Sequence, residues 1–177
     1  MSSDESPLLA DLVEAVPGYP PGLLAELGRW VQAYQDAVAG YDAIMAKKLG
    51  VNGTDLRCLE ILMMVGEAAP SVLSTRLALT TGSVTAMLDR LEKLGYLTRS
   101  PDPTDRRKSV IRATARAYEL VRELHGPLLI DSANVVKHFT ADELRVVTDF
   151  FRRNTEFQQS HTERVRALPT PKRPADQ

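Results

Sequence analysis

The sequence predicts a mainly α-helical fold interrupted by one small two-stranded β-hairpin, and two observations support this, while a third bears on function. Apolar residues recur at three- and four-residue spacing over most of the chain, which is typical of helices that bury one face. Between residues 73 and 114 the pattern indicates a helix, a tight turn, a second helix and a short hairpin. Arginine and lysine outnumber acids by nine to four between Arg76 and Arg116, although the net charge of the chain is −1. A basic module in an acidic body is typical of an electrostatic footprint for nucleic acid.

Length and composition bound the remaining possibilities. The 177 residues are 44% hydrophobic and 25% charged, which suffices for one core but not for two large domains. Cys58 is the only cysteine, so no disulfide can form within the chain, and this suits a reducing compartment. No apolar run approaches the ~20 residues that cross a bilayer, and the N-terminus carries acids rather than a signal pattern. We therefore expect a cytoplasmic protein that does not contact a membrane.

The first part of the chain is predicted to hold an arm, a long helix and a buried helix. Residues 1–21 form an arm that could contain a short helix, and residues 22–49 predict one long helix. Its apolar residues alternate four- and three-residue steps, a coiled-coil-like seam that suits packing on another helix or subunit. The seam comprises Leu27, Val31, Tyr34, Val38, Tyr41 and Met45. Asn52-Gly53 turns the chain, and we expect Thr54 to cap a helix that runs to about Gly66.

Capping signals and spacing predict the next two helices. The first begins near residue 70 and ends near Leu79. Thr80 or Thr81 can cap the start of the second, and Gly95 lies where a left-handed C-cap is expected. One face of the second helix is apolar and comprises Val84, Met87, Leu88, Leu91 and Leu94. The opposite face comprises Gly82, Thr85, Ala86, Asp89 and Lys93, with Ser83 and Arg90 on its flank.

This outer face allows two interpretations. Small side chains let a helix enter a groove, hydroxyls can donate to phosphates or base edges, and a helix N-terminus favours phosphate. A solvated polar face of an ordinary amphipathic helix has the same composition. The helix alone does not decide between them.

The hairpin that follows favours nucleic acid. Its first strand covers 96–100, the turn Pro101–Asp105 cannot continue it, and Arg106-Arg107-Lys108 opens a second strand through Arg112. Three consecutive cations near the tip are poorly suited to a hydrophobic core but well suited to phosphates or a narrow minor groove. Asp105 can pair with a nearby arginine and stiffen the hairpin.

Helices and a tail are predicted for the rest of the chain. Thr114 caps a helix that Gly126-Pro127 should kink or split, because proline clashes with the preceding turn. A capping box over 140–143 starts the final helix, which runs to about Leu168. Residues 169–177 are proline-rich and charged, so we expect them to be disordered.

The run from Thr80 to Tyr96, followed by the proline-containing turn and Asp105-Arg106-Arg107, resembles the MarR family of dimeric winged helix-turn-helix regulators. The resemblance covers roughly residues 27–168. It implies that the second helix enters the major groove and that the hairpin, called the wing, reaches the minor groove. It also implies a domain plan: an N-terminal dimerisation helix over 22–53, a DNA-binding lobe over 54–113 and C-terminal dimerisation helices over 114–168. Ala78 departs from the family, which often has glycine in this turn.

The resemblance and the residue pattern together nominate the residues of a DNA-binding surface. They are Thr81, Gly82, Ser83, Thr85, Ala86, Asp89, Arg90, Lys93, Arg106, Arg107 and Lys108. Arg90 would contact a backbone phosphate or brace the helix, and Asp105 would brace the wing. A two-fold dimer would then bind an inverted repeat in double-stranded DNA.

The leading hypothesis is a sequence-specific regulator, most often a repressor in this family, that a small amphipathic or phenolic ligand releases from DNA. Four residues could line the ligand pocket: Trp30, Tyr34, Tyr41 and His125. One alternative is a winged-helix protein-interaction module without DNA binding, and another is a redox-sensing regulator that uses Cys58.

An enzyme is disfavoured, because the sequence contains no glycine-rich phosphate loop, no paired histidines at metal spacing and no nucleophile with an identifiable base. We expect no catalytic residue, no metal site and no cofactor.

Overall fold

The computed structural model describes residues 18–20, 22–105 and 108–169, and in them the fold is mainly helical with one small antiparallel sheet. The elements in chain order are α1 Leu23–Leu49, α2 Gly53–Val65, β1 Glu67–Ala68, α3 Pro70–Leu77, α4 Thr81–Lys93, β2 Leu97–Pro101, β3 Ser109–Ala113, α5 Ala115–Val136 and α6 Ala141–Arg166. The predicted fold class is therefore confirmed. The predictions for the N-terminal arm and the C-terminal tail fall almost entirely outside the described residues.

The sheet has one strand more than the sequence predicted. The short strand β1 pairs with β3, so the order is β1-β3-β2 with all neighbours antiparallel. In the hairpin, Leu97 faces Ala113 and Pro101 faces Ser109, while β1 adds the pair Glu67 and Arg112. Two residues are too few to establish an alternating pattern in a sequence, which is why β1 escaped prediction.

The chain divides into two compact units, with the boundary between Leu124 and His125. The first unit holds a core built from α2, α3, α4, the sheet and the start of α5. Its most deeply buried residues include Cys58, Leu59, Leu62, Leu73, Met87, Leu88, Leu91, Leu97 and Ile111. A second cluster joins the end of α1 to α2 and comprises Met45, Ala46, Leu49 and Leu56. Each fully buried leucine, isoleucine or methionine side chain stabilises the fold by about 1.5–3 kcal/mol. The first unit buries many such side chains and so has a core of its own.

The second unit holds the later part of α5 and all of α6. Helix α6 has 26 residues, none of them buried. In the part of the chain that the structure describes, no helix combines the length and the apolar character that crossing a bilayer requires.

Helices α2 and α6 both begin with a capping box, and the one at α2 corrects the sequence analysis. Asn52, not Thr54, caps α2: its Oδ1 accepts from Asp55 N at 2.9 Å, and Asp55 Oδ2 accepts from Asn52 N at 3.3 Å. Thr54 is the second residue of the helix and so is not its N-cap. At α6 the predicted capping box is confirmed, with Thr140 and Glu143 bonded reciprocally.

Helix α5 continues through Pro127, so it does not split there, whereas the kink that was the other expectation stays a prediction. A proline removes only one backbone donor, and one missing bond does not end a helix of 22 residues. The predicted cap is confirmed at its start, where Thr114 Oγ1 accepts from Ala117 N at 3.2 Å.

Candidate nucleic-acid interface

Helix α4 has one buried and one exposed face, as predicted. The buried residues Val84, Met87, Leu88 and Leu91 are at most 2% exposed. At the start, Thr80 is the N-cap, and its Oγ1 accepts from Ser83 N at 3.3 Å. The predicted contact residues of this helix are all exposed, namely Thr81, Gly82, Ser83, Thr85, Ala86, Asp89, Arg90 and Lys93. The structure therefore gathers this part of the nominated set on one accessible helix.

The turn into α4 is held by a left-handed alanine. Ala78 has φ +52°, and among the described non-glycine residues no other has a positive φ. Leu79 N donates to Ser74 O at 3.1 Å, and Ser74 Oγ donates to Leu79 O at 2.6 Å. These bonds hold alanine in a conformation that costs an L-residue about 1–2 kcal/mol and that glycine adopts freely.

The wing turn is built around the carboxylate of Asp102. Its Oδ1 accepts from Thr104 N at 2.7 Å, from Thr104 Oγ1 at 2.6 Å and from Asp105 N at 3.0 Å. These bonds, led by the one from the Thr104 hydroxyl, hold the pKa of Asp102 below its usual value. Lys108 N donates to Asp105 O at 2.8 Å, and Asp102 N donates to Lys108 O at 2.9 Å. The ends of the turn that carries the cations are thus fixed by bonds within the turn.

The structure describes one of the three cationic residues near the tip of the wing. Lys108 is exposed, and its Nζ lies 3.6 Å from Asp105 Oδ2. Arg106 and Arg107 lie outside the described residues, and so does any pairing of Asp105 with either of them.

Arg90 makes a two-pronged contact with a buried carboxylate that the sequence analysis missed. Its Nε donates to Asp55 Oδ2 at 2.9 Å and its Nη2 donates to Asp55 Oδ1 at 2.6 Å. Asp55 is fully buried, and hydrogen bonding to it raises the pKa of the Arg90 guanidinium. The contact fixes the end of α4 to the start of α2, which is the bracing role considered for Arg90. The sequence does contain one indication that Asp55 has a structural role: it lies three residues after Asn52, the spacing of a capping box.

Arg99 on β2, like Asp55, is a residue that the sequence analysis did not nominate. Its guanidinium pairs with Asp89, and its Nε lies 3.2 Å from Glu92 Oε2. Asp89, which had been nominated as a DNA contact, is therefore engaged by the wing strand. The two acids lie one turn apart on α4, and an arginine follows on the next strand. This arrangement is the feature of the sequence that could have indicated the contact.

Tyr96 attaches the beginning of the wing to the end of α1. Its hydroxyl donates to Leu49 O at 2.8 Å, and the Arg116 guanidinium lies 5.6 Å from the centre of its ring. The backbone between α4 and β2 is thus anchored to the rest of the first unit.

The four nominated ligand-pocket residues are not gathered within the first unit. Trp30 and Tyr34 are 68% and 61% exposed, whereas Tyr41 is half-buried and its hydroxyl donates to Leu124 O at 3.2 Å. Trp30 and Tyr41 lie eleven positions apart on one helix, which corresponds to ~16 Å. His125 belongs to the second unit.

Cys58 lies in an environment that opposes thiolate formation. Its side chain is completely buried. Burial, and then the negative charge of Asp55, raise its pKa to about 12. Because redox-sensing cysteines react as thiolates, this environment gives no support to the redox alternative.

Comparisons with known proteins agree with the geometry. Residues 49–108 match the sequence profile of the MarR family. The chain is 34% identical over 121 residues to the uncharacterized HTH-type transcriptional regulator YcgE of Bacillus subtilis, covering 68% of this chain and 79% of that protein. Among solved structures, RV1404 from Mycobacterium tuberculosis superposes with a TM-score of 0.62 at 20% identity, covering 79% of this chain and 97% of that one. A mutant MarR from E. coli complexed with operator DNA gives 0.52 at 21% identity, covering 77% and 98%.

Proposed function

Because the chain belongs to the MarR family of DNA-binding transcriptional regulators, we propose that it acts as a homodimeric repressor of an inverted-repeat operator. In this proposal α4 is the recognition helix and enters the major groove. The wing, residues 97–113, reaches the neighbouring minor groove. The proposed domain plan is the one implied by the resemblance, with dimerisation helices on both sides of the DNA-binding lobe.

One observation carries the DNA-binding part of the proposal. The exposed face of α4 has small side chains at its N-terminal end, and the chain then leads directly into a basic hairpin whose turn is built around Asp102. A helix face of small side chains that is followed in the chain by a basic hairpin suits adjacent grooves of a duplex. The complex of an E. coli MarR mutant with operator DNA supports this assignment by analogy.

Exposed apolar residues support the homodimer. The second unit presents large hydrophobic side chains to solvent along α5 and α6, including Leu129, Ile130, Val135, Val146, Phe151, Phe157 and Val165. The seam on α1 is also exposed at Leu27, Val31, Tyr34 and Val38. Apolar surface of this extent usually marks an interface, and a second copy of the chain would double each surface by symmetry.

Release by a small amphipathic or phenolic ligand is the regulatory part of the proposal. The aromatic side chains of Trp30 and Tyr34 are exposed on α1, and their rings suit a flat apolar ligand with a polar edge. Such a ligand releases DNA only if it binds more tightly to the dimer whose two lobes are wrongly spaced for the operator.

Binding to duplex fragments from the region upstream of the protein's own gene tests the proposal. If phosphates are neutralised, log affinity falls with log salt concentration with a slope of about −0.9 per contact. Arg107→Ala should weaken binding roughly fivefold or more without changing the thermal midpoint, since one cation leaves the wing. The matched control is Arg57→Ala, which removes an exposed arginine from α2.

The same titration separates the proposal from its rival. A protein-interaction module would bind the fragments weakly and with little dependence on salt. Equal affinity of the Arg107→Ala protein and the unaltered chain would remove the wing from the mechanism.

A further inference from the structure

We propose that Arg99 is a positioning residue for DNA binding, which shields the two carboxylates of the recognition helix from the DNA phosphates. This inference rests on the proposed function and assigns a role to a residue outside the nominated contact set. Arg99 would act through Asp89 and Glu92 rather than by touching DNA.

The recognition helix carries two acidic side chains that would weaken DNA binding if no cation neutralised them. Asp89 and Glu92 are both exposed on α4, one helical turn apart. A helix that enters the major groove brings its exposed side chains near two phosphate backbones. Uncompensated carboxylates there would repel the phosphates and lower affinity.

Arg99 is placed to neutralise these two acidic side chains. Its guanidinium pairs with Asp89, and its Nε lies 3.2 Å from Glu92 Oε2. Nε is buried and in range for an ion pair with Glu92, although the geometry there does not make a hydrogen bond. One cation thus serves two acids, and its side chain is only 28% exposed whereas that of Asp89 is 62% exposed.

The backbone of Arg99 is fixed independently of these contacts. In the sheet it faces Ile111, which is completely buried. The arginine therefore reaches α4 from a strand that is held in place by the sheet. Helix α4 itself is held by its buried apolar face, and ion pairs whose carboxylates are exposed, as those of Asp89 and Glu92 are, contribute little to stability. Removing Arg99 should consequently alter DNA binding more than folding.

The test uses charge restoration to separate shielding from mechanical support. The probe is a duplex that the unaltered protein selects from a pool with a random core, and affinity is measured by fluorescence anisotropy at several salt concentrations. The variants are Arg99→Gln, Arg99→Lys and the double variant Arg99→Gln with Asp89→Asn. Arg57→Gln is the matched control, because Arg57 is an exposed arginine paired with Glu60 at 2.8 Å on α2.

We expect Arg99→Gln to weaken binding roughly tenfold at low salt and less at high salt, where repulsion is screened. The double variant should regain most of the affinity, because neutralising Asp89 restores the net charge of the cluster. Arg99→Lys should lie in between, since its point charge cannot serve both acids equally. The Arg57→Gln control should bind as the unaltered protein does.

Three results would overturn the inference: full affinity of Arg99→Gln, a double variant as weak as Arg99→Gln, or an equal loss in Arg57→Gln. If Arg99→Gln does not fold, Asp89→Asn with Glu92→Gln replaces it. That pair leaves Arg99 free and should tighten binding at low salt, so unchanged or weaker binding contradicts shielding. Failure of the unaltered protein to select any duplex would instead refute the proposed function.

Discussion

Helices α4 and α6 have the same kind of N-cap, but their apolar faces lie in different environments. Each is capped by a threonine, Thr80 or Thr140, whose Oγ1 accepts from the backbone N–H three residues later at 3.3 Å. Four residues of α4 are buried by its own chain, whereas none of the 26 residues of α6 is. Both helices form by the same local physics, so the difference lies in what covers the apolar face.

This difference indicates where each unit obtains its core. The first unit covers its apolar residues with its own helices and sheet. The second unit leaves Phe151 and Phe157 more than half exposed. Because apolar surface in water is unfavourable, this surface is suited to burial in an interface, and in our proposal its partner is a second copy of the chain.

The largest expected effect comes from breaking the surface of α6. Phe151→Glu combined with Phe157→Glu places charges in the proposed dimer interface and should produce a monomer by size-exclusion chromatography with light scattering. DNA affinity should fall by about a hundredfold or more, because two half-sites are no longer bound together. The control is Gln159→Glu, which adds a charge to an exposed polar position. A double variant that stays dimeric, or an unaltered protein that is monomeric, would contradict the comparison.

An intermediate effect is expected inside the first unit, at the pair formed by Arg90 and Asp55. Arg90→Ala leaves a fully buried carboxylate without its cation, which should lower the free energy of unfolding by about 1–3 kcal/mol. The figure lies below that for a wholly buried pair because the Arg90 side chain is 46% exposed. Urea denaturation measures the change, and adding Asp55→Asn should recover part of it. Unchanged stability with loss of DNA binding would instead make Arg90 a phosphate contact.

The smallest expected effect concerns the turn between α3 and α4. Ala78→Gly relieves a left-handed alanine but increases the entropy of the unfolded chain, so the net gain should be about 0.5 kcal/mol. Ala43→Gly, at an exposed position inside α1, should lower stability by up to ~1 kcal/mol. Thermal unfolding of both variants measures the difference. A loss of stability in Ala78→Gly as large as that in Ala43→Gly would show that the turn is not strained.

Much of the architecture could be predicted because its signals are local. The caps at Thr80 and Thr140, the left-handed Gly95 and the apolar stripe of α4 all depend on residues within a few positions of one another. The family resemblance draws on the same short segments. Hydrogen bonds between near neighbours form in almost any tertiary context, so such signals remain valid in the folded protein.

The sequence by itself determined the helices, the hairpin and the amphipathic face of α4, because helical periodicity and capping act over one or two turns. Only the tertiary structure decided that Arg90 meets Asp55, 35 positions away, and that Arg99 engages Asp89 across the junction of helix and strand. It also decided the pairing of β1 with β3. Such contacts depend on how whole elements pack, and many charged residues in a sequence could form them equally well until packing brings one pair together.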